Sequence, residues 1–124
     1  MAQTLLLDLA RRSVGVMRDG AIAPLADTRP PPAVDGLTLG VAAMDRPPPH
    51  AGERHLDGDE LIYVLEGNPT LILEREHGDE RIPLAPGAAC VVPRGHWHRF
   101  EFAAPVKLLY ATPGPNNERR PLKR

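Results

Sequence analysis

The sequence predicts an all-β domain, a sandwich or barrel built from short strands. Fifteen prolines and eleven glycines among 124 residues disfavour long helices through the middle and end of the chain, because proline is excluded from helix interiors and central strands. The apolar residues occur in short segments separated by turn-forming residues. Short strands punctuated by turn signals are typical of β-sandwiches and β-barrels.

Residues 1–35 are expected to form an N-terminal arm that packs on the barrel or on a partner subunit. Residues 4–16 fit either a helix or a strand, because their leucines recur at near-helical spacing while Thr-Leu-Leu-Leu can also pair in a sheet. Asp19-Gly20 lies between two short apolar segments, which predicts a hairpin because both turn positions tolerate positive φ. Consecutive prolines then make residues 28–32 a stiff connector.

Residues 36–112 are predicted to form the barrel. Apolar or alternating segments in this range are bounded by Gly, Pro, Asp and Asn, which mark turns. Two of the segments are joined by the polar turn at residues 76–79 and predict a hairpin. The predicted strands are residues 36–44, 60–66, 70–75, 80–84, 88–92, 98–102 and 106–112.

The predicted strand at residues 60–66 is apolar on both faces. Leu61, Tyr63 and Leu65 alternate with Ile62 and Val64. One face can line the barrel, so the other must be covered by a second sheet, the N-terminal arm or another subunit. For this reason we expect a homodimer.

Residues 113–124 are predicted to be a flexible basic tail. They combine prolines, a glycine and asparagines with four basic residues and only one large apolar side chain. Such a composition buries too little apolar surface to offset the loss of chain entropy.

Bulk properties exclude several classes of function. The chain has the size of one domain, and its formal net charge of −1, with both signs interspersed, provides no overall field for nucleic acid. No segment approaches a membrane span of about 20 apolar residues, and the N-terminus lacks the pattern of a signal peptide. The single Cys90 cannot form an intramolecular disulfide, which fits a reducing cytoplasm.

Three side chains with metal-binding chemistry lie at the polar ends of two predicted strands. His55 and Glu60 flank the turn before one strand, and His98 follows the Pro-Arg-Gly turn after another. Neutral imidazole nitrogen and ionised carboxylate are donors that suit Fe(II), Mn(II), Ni(II), Cu(II) or Zn(II). Two histidines and a carboxylate also leave coordination positions open for a substrate or dioxygen. We therefore predict a site for a divalent transition metal of open identity.

The spacing of these side chains requires a turn. His55 and Glu60 are five residues apart, an odd step that would place them on opposite faces of a straight strand. The intervening Asp57-Gly58-Asp59 must turn or bulge to aim both inward. Glu53, two residues before His55, shares its face and is a candidate fourth ligand. If either glutamate does not bind metal, Glu53 or Glu60 is a candidate catalytic base.

A substrate pocket is expected beside the metal. Arg54 and Arg94 come from the loops that carry the ligands, and they either orient an anionic substrate by bidentate pairing or remain solvated at the surface. Strand alternation places Phe100 and Phe102 on the same face as His98. Apolar walls favour a small organic ligand. Ile62 and Tyr110 complete the predicted pocket.

These segments resemble the two motifs of the cupin superfamily. The first motif has two histidines one residue apart, then a glutamate, then a glycine; the second runs Gly, Pro, Gly, His, Asn. The second-histidine, glutamate and glycine positions of the first motif are occupied by His55, Glu60 and Gly67. The second motif is matched, except at its last position, by Gly87, Pro93, Gly95 and His98.

The resemblance covers about residues 36–112 and implies the double-stranded β-helix, or jelly roll, of small single-domain RmlC-like cupins. Two positions depart from the motifs: Glu53 replaces the first histidine and Phe102 replaces the asparagine. The glutamate changes a nitrogen-rich ligand set into a mixed histidine and carboxylate set.

The resemblance further implies a metal-dependent protein that acts on a small molecule. Oxygenases, isomerases and lyases of the family share these motifs, so the reaction type is left open. The alternative is a non-catalytic cupin that binds or senses a small ligand, with or without metal. The replacements at Glu53 and Phe102 favour that alternative.

Overall fold

A computed structural model describes residues 4–122 of the chain; residues 1–3 of the predicted arm and 123–124 of the predicted tail lie outside the described part. The described residues form eleven β-strands and no α-helix. This part of the chain therefore has no helix long and apolar enough to cross a membrane. The strands are β1 (Val14–Met17), β2 (Ile22–Pro24), β3 (Gly36–Met44), β4 (Glu53–His55), β5 (Glu60–Glu66), β6 (Thr70–Arg75), β7 (Gly78–Pro83), β8 (Ala89–Val92), β9 (His98–Glu101), β10 (Val106–Gly114) and β11 (Asn117–Arg119).

The strands form two antiparallel sheets. One has six strands in the order β2-β1-β3-β10-β5-β8, and the other has five in the order β11-β4-β9-β6-β7. The core joins them, because Ile62 and Val64 of the first sheet pack in one cluster with Leu71 and Leu73 of the second. Fully burying a side chain of this size contributes roughly 1.5–3 kcal/mol. The predicted all-β fold class is confirmed.

The alternation of β5 determines what each of its faces contacts. Ile62 and Val64 point into the core and are buried, while Leu61, Tyr63 and Leu65 point away from it and remain accessible in the single chain. Gly67 ends this strand with a φ of +88°, and a Cβ there would lie 2.6 Å from the carbonyl oxygen of Pro105. Only glycine fits this position without strain.

The N-terminal arm is joined directly to the larger sheet. The hairpin predicted around Asp19-Gly20 is present as β1 and β2, and β1 also pairs with β3. Beyond the hairpin, Thr38 Oγ1 donates a 2.9 Å hydrogen bond to the carbonyl of Pro32. The proline connector is thereby held against β3.

The structure corrects the prediction of a flexible tail for residues 113–120. Strand β10 continues to Gly114, and β11 pairs with β4. Backbone hydrogen bonds between Gly52 and Arg120, and between Leu56 and Asn116, extend this pairing at both ends. The segment is ordered because it satisfies the outer backbone groups of β4, a long-range partner that composition does not reveal.

Candidate metal centre

Strand β4 and the bend after it bring the predicted ligands together. Glu53 and His55 lie on one face of β4, and Glu53 is directly opposite His98 of β9 in the sheet register. The chain bends at residues 56–58, overlapping the turn predicted at residues 57–59, so that Glu60 enters β5 pointing to the same side. Four donor groups from three strands thus meet inside the barrel, at one end of the core.

Their side-chain atoms converge closely. One ligand atom from each of Glu53, His55, Glu60 and His98 lies within 4.8 Å of all the others. The two oxygens of Glu60 lie 3.1 Å from His98 Nε2 and 3.3 Å from His55 Nε2. Glu53 Oε1 lies 3.8 Å from both of these nitrogens. This arrangement presents two imidazoles and two carboxylates to one point.

Hydrogen bonds on the far side of each ring fix which nitrogen faces the cluster. His55 Nδ1 lies 2.9 Å from Asn117 Oδ1, and His98 Nδ1 lies 3.1 Å from the carbonyl oxygen of His96. Carbonyl oxygens only accept hydrogen bonds, so each Nδ1 carries the proton and Nε2 of a neutral ring carries a lone pair. A lone pair facing a carboxylate is repelled unless a proton or a metal cation lies between them.

The donor set therefore fits a metal ion. Nε2 of His55 is buried and has no hydrogen-bond partner within the described residues, although Glu60 is 3.3 Å away. An outer-shell acceptor on Nδ1 is the usual companion of a histidine that binds metal through Nε2. Thr112 Oγ1 donates to Oε2 of Glu60 and fixes that carboxylate as well.

Electrostatic contacts within the four-residue cluster balance its charge when no metal is bound. Burial alone would raise the pKa of Glu60, but its contacts with His55 and His98 outweigh burial and lower that pKa to about 2. Burial would lower the pKa of His55, but contacts with Glu60, Asn117 and Glu53 together outweigh burial, so the pKa of His55 is raised. Without metal, a proton on His55 offsets the charge of Glu60.

Glu53 differs from Glu60 in its surroundings. Its side chain is 21% exposed against 4% for Glu60. While Oε1 faces the two histidines, Oε2 lies 3.2 Å from Arg119 Nε and 3.7 Å from His50 Nε2. Glu53 therefore connects the cluster to a guanidinium on β11.

The cluster forms the floor of a cavity of about 550 Å³. Apolar side chains from β3, β5, β9 and β10 line its wall, and residues 9–13 and 26–33 of the arm line its outer part. The wall includes Met44, Ile62, Phe100, Leu108 and Tyr110. A cavity of this size, with apolar walls and a few convergent polar groups, suits a small organic molecule.

Three of the predicted pocket residues, Ile62, Phe100 and Tyr110, line this cavity, and three do not. Arg54 alternates with Glu53 and His55 on β4, so it points outward, where it pairs with Glu118 and stacks 4.8 Å from the Trp97 ring. The Arg94 side chain is exposed and donates to the carbonyl of Leu56.

Phe102 departs from the prediction because β9 ends at Glu101. The alternation that would align this ring with Phe100 stops there, and Phe102 does not line the cavity. Two further histidines support the cluster from outside it: His50 lies beside Glu53, and the backbone carbonyl of His96 accepts a hydrogen bond from His98.

Several residues at the site were not predicted. Thr112 lies two residues after Tyr110 on β10, so strand alternation could have placed it on the inner face. Asn117 and Arg119 belong to the segment predicted as flexible, and no local signal in the sequence marks them.

Comparisons with known proteins agree with this architecture. The family model described as a cupin domain matches residues 43–112, more than half of the chain. A cupin-2 domain protein from Shewanella frigidimarina superposes with a TM-score of 0.53 at 22% identity, covering 63% of this chain and 71% of that one. No curated protein matches the sequence.

Two structures of larger proteins are also similar. The iron(II) form of HppE in complex with substrate has a TM-score of 0.52 at 22% identity, covering 61% of this chain and 42% of that one. A structure described as DMSP lyases RdDddP and RnDddQII has a TM-score of 0.54 at 19% identity, covering 68% and 44%. This chain therefore spans less than half the length of either.

The fold and the site define a jelly-roll protein whose barrel encloses a group of histidines and carboxylates able to hold a metal ion. With the family model matching over most of the barrel, the chain belongs to the cupin superfamily, as a small cupin.

Proposed function

We propose that this protein is a divalent-metal-dependent cupin that acts on a small molecule. The ligands are His55, Glu60 and His98, with Glu53 as the fourth. One observation carries the proposal: the outer nitrogens of both histidines are held by carbonyl acceptors, so both buried Nε2 atoms face carboxylates. Similar folds include the iron(II) form of HppE, which is consistent with a transition metal.

The chain's own residues would perform distinct tasks. The metal, Fe, Mn, Ni, Zn or Cu, would supply Lewis acidity toward a substrate oxygen and, if iron, reactivity toward dioxygen. Ile62, Phe100 and Tyr110 would hold the substrate and exclude water. Glu53, the more accessible carboxylate, could accept a substrate proton if it is released from the metal. Dioxygenase, isomerase and lyase reactions all fit this set of groups.

Metal analysis tests the proposal directly. Protein purified without chelator or nickel affinity should contain metal, or should take up about one equivalent of Fe(II), Mn(II), Ni(II) or Zn(II). The variant His98→Ala should lose this uptake because it removes a buried Nε2 donor. The control His77→Ala changes an exposed histidine in the β6–β7 turn and should leave uptake intact.

Two outcomes would contradict this assignment. Less than about a tenth of an equivalent, with no tight uptake of any of these ions, would refute metal dependence. Equal loss of uptake in both variants would show that His98 is not a specific ligand.

We also propose that the protein is a cytoplasmic homodimer. The outer face of β5 and β8 supports the dimer: Leu61, Tyr63, Leu65 and Val91 are 41%, 36%, 37% and 59% exposed. In a twofold interface the same patch meets itself, and an uncharged apolar patch does so without repulsion. The half-buried, unpaired Cys90 fits a reducing compartment.

A further inference from the structure

The charged groups that the arm contributes to the cavity are mostly basic. They are Arg11, Arg12 and Arg29, with Asp27 as the acidic residue, whereas the carboxylates of Glu53 and Glu60 belong to the cluster at the floor. The net positive charge of these arm residues attracts an anionic group to the outer part of the cavity. A ligand with one charged end is thereby oriented before it reaches the floor.

The cavity arginines differ in what they already contact. Arg99 pairs with Asp79 and Glu74, and Arg119 pairs with Glu53. Arg12 donates through Nε to the carbonyl of Leu25. Within residues 4–122, Arg29 makes no ion pair and no side-chain hydrogen bond, so its five N–H donors are available to a ligand.

The backbone that carries Arg29 is held in place. Thr28 Oγ1 donates 2.9 Å to the carbonyl of Pro30, and Thr38 Oγ1 donates 2.9 Å to that of Pro32. Arg29 is also close enough to the cavity wall for its charge to act on the Tyr110 phenol. A guanidinium on a stiff, anchored segment loses less freedom on binding an anion than one on a mobile loop.

We propose that the ligand of this cavity is a small organic anion, a carboxylate or a phosphate ester, whose charged group is bound by Arg29 of the arm, which also contributes Arg12 to the cavity lining. The rest of the molecule lies along the apolar wall and reaches the four-residue cluster. This assignment names the substrate class of the proposed metal site and rests on that proposed function. Both arginines lie outside the residues matched by the family model, so the arm would determine specificity.

Binding of matched four-carbon probes to the metal-loaded protein tests this assignment. Butanoate and butyl phosphate carry the charge as a carboxylate and as a phosphate, and butanamide is a neutral analogue. Calorimetric titration should show that one or both anions bind at least about tenfold more tightly than the amide, as expected for a charge-assisted hydrogen bond. The stronger anion identifies which charged group the site takes.

The Arg29→Ala variant should reduce binding of the preferred anion at least about tenfold and leave butanamide binding and metal uptake unchanged. Arg29→Lys should recover part of the loss, because it restores the charge but not the planar fork. Arg46→Ala is the matched control, since Arg46 is an exposed arginine outside the cavity.

Results that differ from these expectations contradict either the anion assignment or the metal function. Anion binding that is unchanged in Arg29→Ala would place the charged group elsewhere, for example on the metal, and would overturn the inference. Equal binding of anions and amide would do the same. Metal uptake is measured separately, so these results leave the proposed metal function standing. If instead the protein takes up no metal but still binds anions in a way that depends on Arg29, only the metal function is refuted.

Discussion

At the scale of single residues, Glu60 determines the charge balance of the site. It contacts both histidines and Thr112, and it is almost completely buried. A carboxylate in such a place is costly unless positive charge accompanies it, either a proton on His55 or a bound metal ion. The metal-free protein must therefore bind protons that the metal-bound form does not need.

This coupling predicts a stability optimum for chelator-treated protein between about pH 4.5 and 6.5. The pKa of Glu60 is lowered from 4.5 to about 2, so its contribution is complete above pH 4.5 and is lost as pH falls toward 2. The pKa of His55 is raised from 6.5, so its contribution is complete below pH 6.5 and is lost as pH rises through the raised value.

Thermal unfolding of the wild type and Glu60→Gln from about pH 3 to 9 measures this dependence. The variant should show a flatter profile at both ends, because both pKa shifts depend on the same carboxylate. A wild-type profile retained in Glu60→Gln would mean that other groups control the pH dependence.

At the scale of strands, local patterns predicted β5 and β9, which carry Glu60 and His98, but not β4, which carries Glu53 and His55. The bounds of β5 at residues 60–66 and the inward aim of Glu60 followed from alternation and from the bend that an odd spacing demands. Alternation also separates Arg54 from Glu53 and His55, so its outward direction could have been predicted from the same rule. The position of Phe102 could not be predicted from alternation, because β9 ends one residue earlier, at Glu101.

Strand β11 was not predictable from its own residues. Its sequence, Asn-Glu-Arg, has weak strand propensity, and the strand forms because β4 offers an unpaired edge. The same pairing delivers Asn117 to His55 and Arg119 to Glu53. An outer part of the metal site is thus carried by a segment that composition alone describes as a tail.

This role of β11 predicts that Asn117→Ala weakens metal binding by about tenfold or more, the range seen when an outer-shell partner of a histidine ligand is removed. Competition with a chromophoric chelator measures the affinity. Asn117→Asp keeps an acceptor for His55 Nδ1 and should bind metal more tightly than Asn117→Ala. The control Asn68→Ala lies outside the cavity and should have no effect; equal affinities in all three variants would disprove an orienting role.

At the scale of the whole molecule, the two faces of the six-stranded sheet have different roles. The inner face contributes to the core and the cavity wall, while the outer face of β5 and β8 exposes a contiguous apolar patch. Leu61 lies directly opposite Val91 in the register, and Tyr63 lies opposite Leu109 of β10. The sequence predicted that this face needs a cover, but no pattern in one chain specifies which surface provides it.

We expect light scattering of the wild type to give twice the protomer mass of 13.5 kDa, with a mass near 13.5 kDa refuting the dimer. Val91→Lys should shift the protein to the monomer, because a twofold interface would bring two buried ammonium groups together in an apolar patch. The control Ile22→Lys changes a side chain that is equally exposed, at 59%, at the opposite edge of the same sheet. Dissociation by Ile22→Lys but not by Val91→Lys would place the interface on the arm instead. Because both side chains are accessible in the protomer, neither substitution should lower the thermal stability of the monomer appreciably.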